Sequence, residues 1–229
     1  MPPRGRAGAL PEFATHFPKS VTPSPGNIRT FVGVKVALGM FPATLKSQHP
    51  MSAENTTWVF DPSHSELTFK VRHMMIAHVK GEFQSFQVQV TGSDLFTAAL
   101  DVSVDVASID TNNEQRDQHL RAGDFFDVEN HPKLTFQAAS LKPGAGEAAY
   151  VLTGTLTIKG VSKEVTFDVE FGGLGRDPWG NEKAGFSFSG AINRTDFHLN
   201  WNAALETGGV LVGEEVKFAG EIQFAKQSA

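Results

Sequence analysis

Four side chains in this 229-residue sequence combine charge or titration near neutral pH with a spacing that could bring them to one ligand: His73, Arg116, His119 and Arg121. His73 ends an alternating run, Leu67 to His73, and is the one residue of the run's apolar face that titrates near neutral pH. Arg116, His119 and Arg121 belong to a polar stretch, Asp110 to Gly123, and are available to an anion. A metal reading groups His73, His119 and His131. It is weak, because the chain has no cysteine and no His-Glu-x-x-His, and His73 and His78, five apart on an apparent strand, face opposite ways unless a turn intervenes. No Gly-x-Ser-x-Gly elbow surrounds Ser187 or Ser189, and Gly173-Leu174-Gly175 lacks the third glycine of a dinucleotide loop. Asp110, Asp117 and Asp124 could pair as acid and base, but acids around a helix are usually solvated.

The elements that must position these residues follow from the periodicity. Six runs (67 to 73, 100 to 106, 150 to 158, 165 to 171, 186 to 192 and 218 to 224) split by parity into one set apolar at 21 of 25 positions and another apolar at 3 of 19. Strict alternation of this kind is the pattern of antiparallel strands with one dry and one wet face. Weaker runs at 83 to 90, 134 to 138, 197 to 201 and 210 to 216 bring the count to eight to ten strands. Turn signals at Lys142-Pro143-Gly144, Lys159-Gly160 and Asp177-Pro178-Trp179-Gly180 separate them. The fold class is therefore all-β, a sandwich or a barrel of about eight strands. The choice matters, since a closed barrel of that size can hold one small ligand. Periodicity does not decide it. Inward glycines at Gly154, Gly190 and Gly220 either let strands bend or a ligand approach, or only relieve crowding in a packed core. Asp110 to Gly123 is the one helical signal: Thr111 and Glu114 fit a capping box, Asp117 and Arg121 an i,i+4 pair, and Gly123 a stop. With only Leu120 and Ala122 apolar, this helix is either a solvated connection or a polar lid on one end of a barrel.

Composition supports an apolar interior. Nineteen phenylalanines against one tyrosine give aromatic bulk without hydroxyls that need partners. A net charge of -5 argues against nucleic acid. That charge is uneven: residues 1 to 50 hold six basic residues, one acid and eight of the twelve prolines, so the remaining 179 residues carry ten net negative charges. Residues 1 to 50 are expected to be a disordered or non-native extension and 51 to 229 the folded domain, with Met51 as the physiological start. The apolar part of the extension, Phe31 to Leu45, is too broken to span a membrane and too far from Met1 for a signal-peptide core.

Val71-Arg72-His73 with Gly81-Glu82-Phe83, Ser108 to Asn112 with Arg116 to Arg121, Asp124-Phe125-Phe126-Asp127, His131-Pro132, Leu156 to Val161, and Asp177-Pro178-Trp179-Gly180 with Gly185-Phe186 together resemble the YceI-like family, in order over nearly all of 57 to 226. The resemblance implies a lipocalin-like antiparallel barrel holding a polyisoprenoid chain, such as the tail of a quinone or polyprenyl phosphate, for carriage, storage or sequestration, with no cofactor. With the alternation, it makes Leu67, Phe69, Val71, Leu100, Val102, Val104, Phe136, Leu152, Leu156, Phe167, Val169, Phe186, Phe188, Phe218 and Ile222 the cavity candidates. It also raises His73, beside Arg116, His119 and Arg121, to a head-group candidate. The alternatives are a barrel enzyme acting on an isoprenoid, or a metal-dependent hydrolase built on His73, His119 and His131. The expected partner is the lipid, with no transmembrane segment and with a homodimer left open. A start at Met51 implies a cytoplasmic address, whereas many family members are periplasmic.

Overall fold

A computed structural model of the chain describes residues 57–206 and 208–227, so the readings of residues 1 to 50 and of Met51 lie outside the described residues. Among the described residues twelve strands follow one another: β1 (Thr57–Phe60), β2 (Glu66–His73), β3 (Ala77–Phe83), β4 (Phe86–Thr91), β5 (Ala99–Asp105), β6 (Ile109–Asp110), β7 (Lys133–Ala138), β8 (Lys142–Pro143), β9 (Ala149–Ile158), β10 (Val161–Arg176), β11 (Glu182–Asn193) and β12 (Val212–Gln227). An α-helix, α1 (Glu114–Arg121), lies between β6 and β7. The pairing is antiparallel throughout, in the order β4-β5-β7-β9-β10-β11-β12-β2-β3-β6, with β1 on β12 and β8 on β9. This single sheet curls into a half-open, lipocalin-like barrel. Its ladder does not close; instead β1 packs across to β4, with the Phe60 and Phe86 rings 5.2 Å apart. The strand count exceeds the expected eight to ten because β6 and β8 are two-residue pairings.

The run 83 to 90 is not one strand. Phe83 ends β3 and Phe86 opens β4, across the two-residue link Gln84-Ser85. The run 197 to 201 is not a strand at all: residues Arg194–Phe197 form a 3-10 turn, after which Phe197 and Leu199 are buried without any ladder. Residues 212 to 216 continue into 218 to 224 as one strand, β12, broken by a register shift opposite β2.

The inward glycines each seat a phenylalanine ring. A Cβ at Gly190 would lie 2.5 Å from Cδ1 of Phe167, and one at Gly154 would lie 2.6 Å from Cζ of Phe136. At Gly220 it would lie 2.6 Å from Cε1 of Phe188 and closer still to the Glu66 carbonyl oxygen. The crowding reading is thus correct, and the space beside the backbone is filled by rings rather than left to a ligand. Because the Glu66 contact is backbone and cannot turn aside, Gly220→Ala is expected to lower stability by about 1–3 kcal/mol in urea unfolding. A variant indistinguishable from the parent would show that the ring and strand can shift freely.

Candidate functional site

The dry faces of the strands enclose two adjoining chambers. The first is a slot of about 140 Å³ walled entirely by apolar residues. Thirteen of the fifteen inward candidates line it, all except Phe69 and Val71, which line the second chamber of about 510 Å³. Phe218 borders both, so its ring separates them. The larger volume falls within the range of small-molecule sites, roughly 300–1,000 Å³; the slot is smaller and fits only a thin apolar chain. The sequence reading missed Phe86, Val88 and Val90 on β4, and Leu95 and Ala98 in the loop after it, all of which wall the slot.

The second chamber is polar at one end, under α1. The helix is a lid rather than a solvated connection: Asn113, Gln115, Arg116, His119 and Leu120 face the chamber. Its start differs from the expected capping box. Asn113 is the N-cap, its Oδ1 accepting from the Arg116 amide at 3.0 Å, while the Thr111 hydroxyl donates to the buried carboxylate of Asp117 at 2.6 Å. Asp117 also accepts from the Thr111 amide at 3.0 Å, so it anchors the lid to the strand before it and does not pair with Arg121. Arg116 donates from Nε to the Thr111 hydroxyl and from Nη2 to the Thr111 carbonyl, both at 2.7 Å. Lys159 holds the far side of the lid by donating to the carbonyls of Gly123 and Phe125, both at 2.9 Å.

His119 lies 2.8 Å from Asp124 through Nε2 and packs edge-on against Trp201, with ring centroids 4.6 Å apart. The hydrogen bond from His119 holds the Asp124 carboxyl below the usual carboxylate range. His73 reaches the same chamber from the end of β2. Arg121 does not join them. It points to the other side of the helix, donating to the carbonyls of Ala107 and Ile109 at 2.9 Å, with Glu114 at 3.7 Å. His131 lies beside Gly160 at the β9–β10 turn and does not line the chamber, so the grouping of His73, His119 and His131 is not assembled. Among the described residues no three ligating side chains converge.

The sequence reading also missed Arg194, which is 3% exposed on the chamber wall. Its guanidinium donates only to backbone carbonyls: Gly213 from Nε at 2.9 Å, Leu199 and Trp201 from Nη1, the latter at 3.0 Å, and Val212 from Nη2 at 3.4 Å. Loss of hydration lowers its pKa, opposed by the negative charge of Glu214. Arg72, His73, Arg116, His119 and Arg194 all line this chamber, and among the described residues no acidic one does. The arrangement can bind a group that accepts hydrogen bonds or carries negative charge, with an apolar extension running past Phe218 into the slot.

Residues 58–224 match the model of the YceI-like domain. The chain belongs to the YceI-like family. Its curated relatives include a UPF0312 protein of Staphylococcus epidermidis, 43% identical over 173 residues that cover 74% of this chain and 98% of the relative. Among solved structures, the Campylobacter jejuni YCEI protein is 32% identical with a TM-score of 0.58, over 69% of this chain and 91% of that one. A polyisoprenoid binding domain from Saccharophagus degradans shares the fold at 14% identity and a TM-score of 0.57, over 74% of this chain and 98% of that one. Within this YceI-like barrel, one sequence feature could have pointed to Arg194: a lone cation at the end of an alternating run and directly before the run Phe197, Leu199, Trp201.

Proposed function

We propose that this chain binds a long-chain polyisoprenoid, its tail in the slot and its head group under the lid, and that it carries, stores or sequesters this lipid without chemical turnover. The observation that carries the reading is a wall of carbon that ends in a chamber lined by His73, Arg116, His119 and Arg194, with Arg72 at its rim and, among the described residues, no acid on its wall. Each buried methylene contributes about 0.8 kcal/mol, so a dozen tail carbons supply roughly 10 kcal/mol before ordering costs. The tail then sets affinity and the chamber selects the head. With no carboxylate on the chamber wall, and that of Asp124 at its edge hydrogen-bonded to His119, a phosphate is favoured over a quinone carbonyl, although both accept hydrogen bonds from His73, His119 and the Nη1 of Arg116. The Saccharophagus degradans domain described as polyisoprenoid-binding adds support through its fold.

Solvent extraction of the purified protein followed by mass spectrometry is expected to release a polyisoprenoid, and a parallel metal assay to find no stoichiometric metal. Absence of lipid, failure to take up added quinone or polyprenyl phosphate, and one bound metal per chain would overturn the reading. An enzyme acting on an isoprenoid is the second reading, and the His119–Asp124 couple at the chamber edge is what favours it. Incubation with polyprenyl phosphate separates the two, since a carrier returns the lipid unchanged.

A further inference from the structure

The β2–β3 hairpin ends in an apolar tip. His73 pairs with Ala77, leaving Met74, Met75 and Ile76 as the loop, 42%, 56% and 79% exposed. Met74 and Met75 both lie in the left-handed region, at φ 50° and 60°, where glycine or asparagine is usual. The chain thus holds three large apolar side chains in water on a backbone that disfavours two of them. Exposed Val210 adjoins the tip, because the Met74 amide donates to the neighbouring Leu211 carbonyl at 2.7 Å.

Behind the tip the outward face is cationic. Arg72 stands opposite His78, and Lys70 stands opposite both Lys80 on β3 and Lys217 on β12. Like charges directly opposed across strands cost stability, so this collar is not explained by folding. Lost hydration, then Arg72, Lys70, Lys217 and Lys80, lower the pKa of His78. Further from the tip the sign reverses: Glu82 faces Thr68 on the next outward row, and Glu66 faces Glu221 on the one after. Within the collar Lys217 is paired with Glu215 at 3.2 Å. The tip also stands at the head-group chamber, which Arg72, His73, Leu211 and Val212 line.

An apolar tip, a cationic collar two to four residues behind it on each strand and acids beyond fit the interface of an anionic bilayer, apolar groups among the acyl chains and cations at the head-group level. We propose that the β2–β3 hairpin docks this barrel on an anionic lipid surface, with Met74, Met75 and Ile76 inserted and the chamber facing the membrane. Docking goes beyond the lipid-binding reading and stands without it; only direct delivery of a lipid into the chamber rests on that reading. The orientation also resolves a conflict of charge, since residues 51 to 229, with ten net negative charges, approach an anionic membrane most readily by a positive end.

The test uses the full chain, so the basic first fifty residues are common to every arm. Flotation with vesicles of equal parts phosphatidylglycerol and phosphatidylcholine is compared for the parent, Met74→Ser/Met75→Ser/Ile76→Ser, Lys70→Glu/Lys80→Glu, and Trp179→Ser. Trp179 is 84% exposed on the β10–β11 hairpin, beyond the end of β12 opposite to Val212, and serves as the apolar control. Both hairpin variants are expected to bind at least tenfold more weakly and Trp179→Ser as the parent does. A second readout is independent of the extension: in Ile76→Trp, brominated acyl chains are expected to quench the added indole emission. Parent-like binding by the triple serine variant, loss of binding in Trp179→Ser instead, or unquenched added emission in Ile76→Trp would each overturn the proposal. So would a parent dimer that the triple variant dissociates while vesicle binding is unchanged, which would make the tip a contact between two copies.

Discussion

Replacing Arg194 with methionine is expected to lower the stability of the barrel by about 3 kcal/mol or more, and to release the segment from Leu199 to Val212 that forms one side of the chamber. Methionine keeps the length of the side chain, so the loss is mainly that of the hydrogen bonds. Of the carbonyls that converge on the guanidinium, that of Val212 keeps the Asn202 amide as a donor at 2.8 Å, whereas those of Leu199, Trp201 and Gly213 would lose the donor that Arg194 supplies. A buried acceptor left unsatisfied costs about 1–3 kcal/mol, and water entering from the chamber relieves some of the three. The relief of no longer burying a charge works in the opposite direction. It is the smaller effect here, because the charge is already hydrogen-bonded through most of its N–H groups. Arg194→Lys is expected to fall between the two, since one ammonium cannot reach carbonyls spread around a planar fork. Urea unfolding measures the stability, and limited proteolysis between 199 and 212 reports the opening of the segment. A methionine variant within about 1 kcal/mol of the parent, with unchanged proteolysis, would mean that the carbonyls find other donors and that Arg194 does not organise the wall.

The dry and wet faces of the long strands were legible because each is a binary pattern enforced by burial, as in Tyr150, Leu152, Gly154, Leu156 and Ile158 on β9. β3 was not legible. Its inward positions are Val79, Gly81 and Phe83, too few apolar groups to stand out, and the turn before it is made of Met74, Met75 and Ile76, which carry no turn signal. His73 and His78 face opposite ways, as the alternation expects, even though that turn intervenes: it sets His78 opposite Arg72 on the outer face and leaves His73 at the chamber. The run Phe197, Leu199, Trp201 alternates as a strand would. Its carbonyls at 199 and 201, however, turn to Arg194 rather than to a neighbouring strand, and a long-range side-chain acceptor set leaves no periodic trace. The helix start was misplaced for a related reason. Thr111 has the right residue type for a cap, but its hydroxyl is held by Asp117, and the cap passes to Asn113. Of the four polar candidates, three line the chamber, and Arg121 is spent on the carbonyls of Ala107 and Ile109. The side of a short polar helix that faces inward is set by such carbonyls, not by an apolar stripe.

The second large effect concerns tail length. Leu152 lines the slot from β9, opposite Phe167, and the extra bulk of a tryptophan there would take up nearly half of a space of about 140 Å³. If the slot takes the end of the tail, Leu152→Trp excludes about half of a five-carbon prenyl unit. At about 0.8 kcal/mol per methylene this removes roughly 2 kcal/mol of gross burial, or about one to two orders of magnitude in Kd. The loss should fall only on ligands long enough to pass Phe218. A short-tailed polyprenyl phosphate, held wholly in the larger chamber, is expected to bind the variant as it binds the parent. Overpacking costs about 1–3 kcal/mol of stability, which is checked separately and is common to both ligands. Phe218→Ala is the complementary variant: it removes the ring between the chambers, and the preference for long over short tails is expected to widen as the passage opens. Titration of both variants with two tail lengths, read by retention of radiolabelled ligand on the protein, gives four comparisons. Equal weakening of long and short tails by Leu152→Trp would place the tail elsewhere, because a filled slot can discriminate by length only if the tail reaches it.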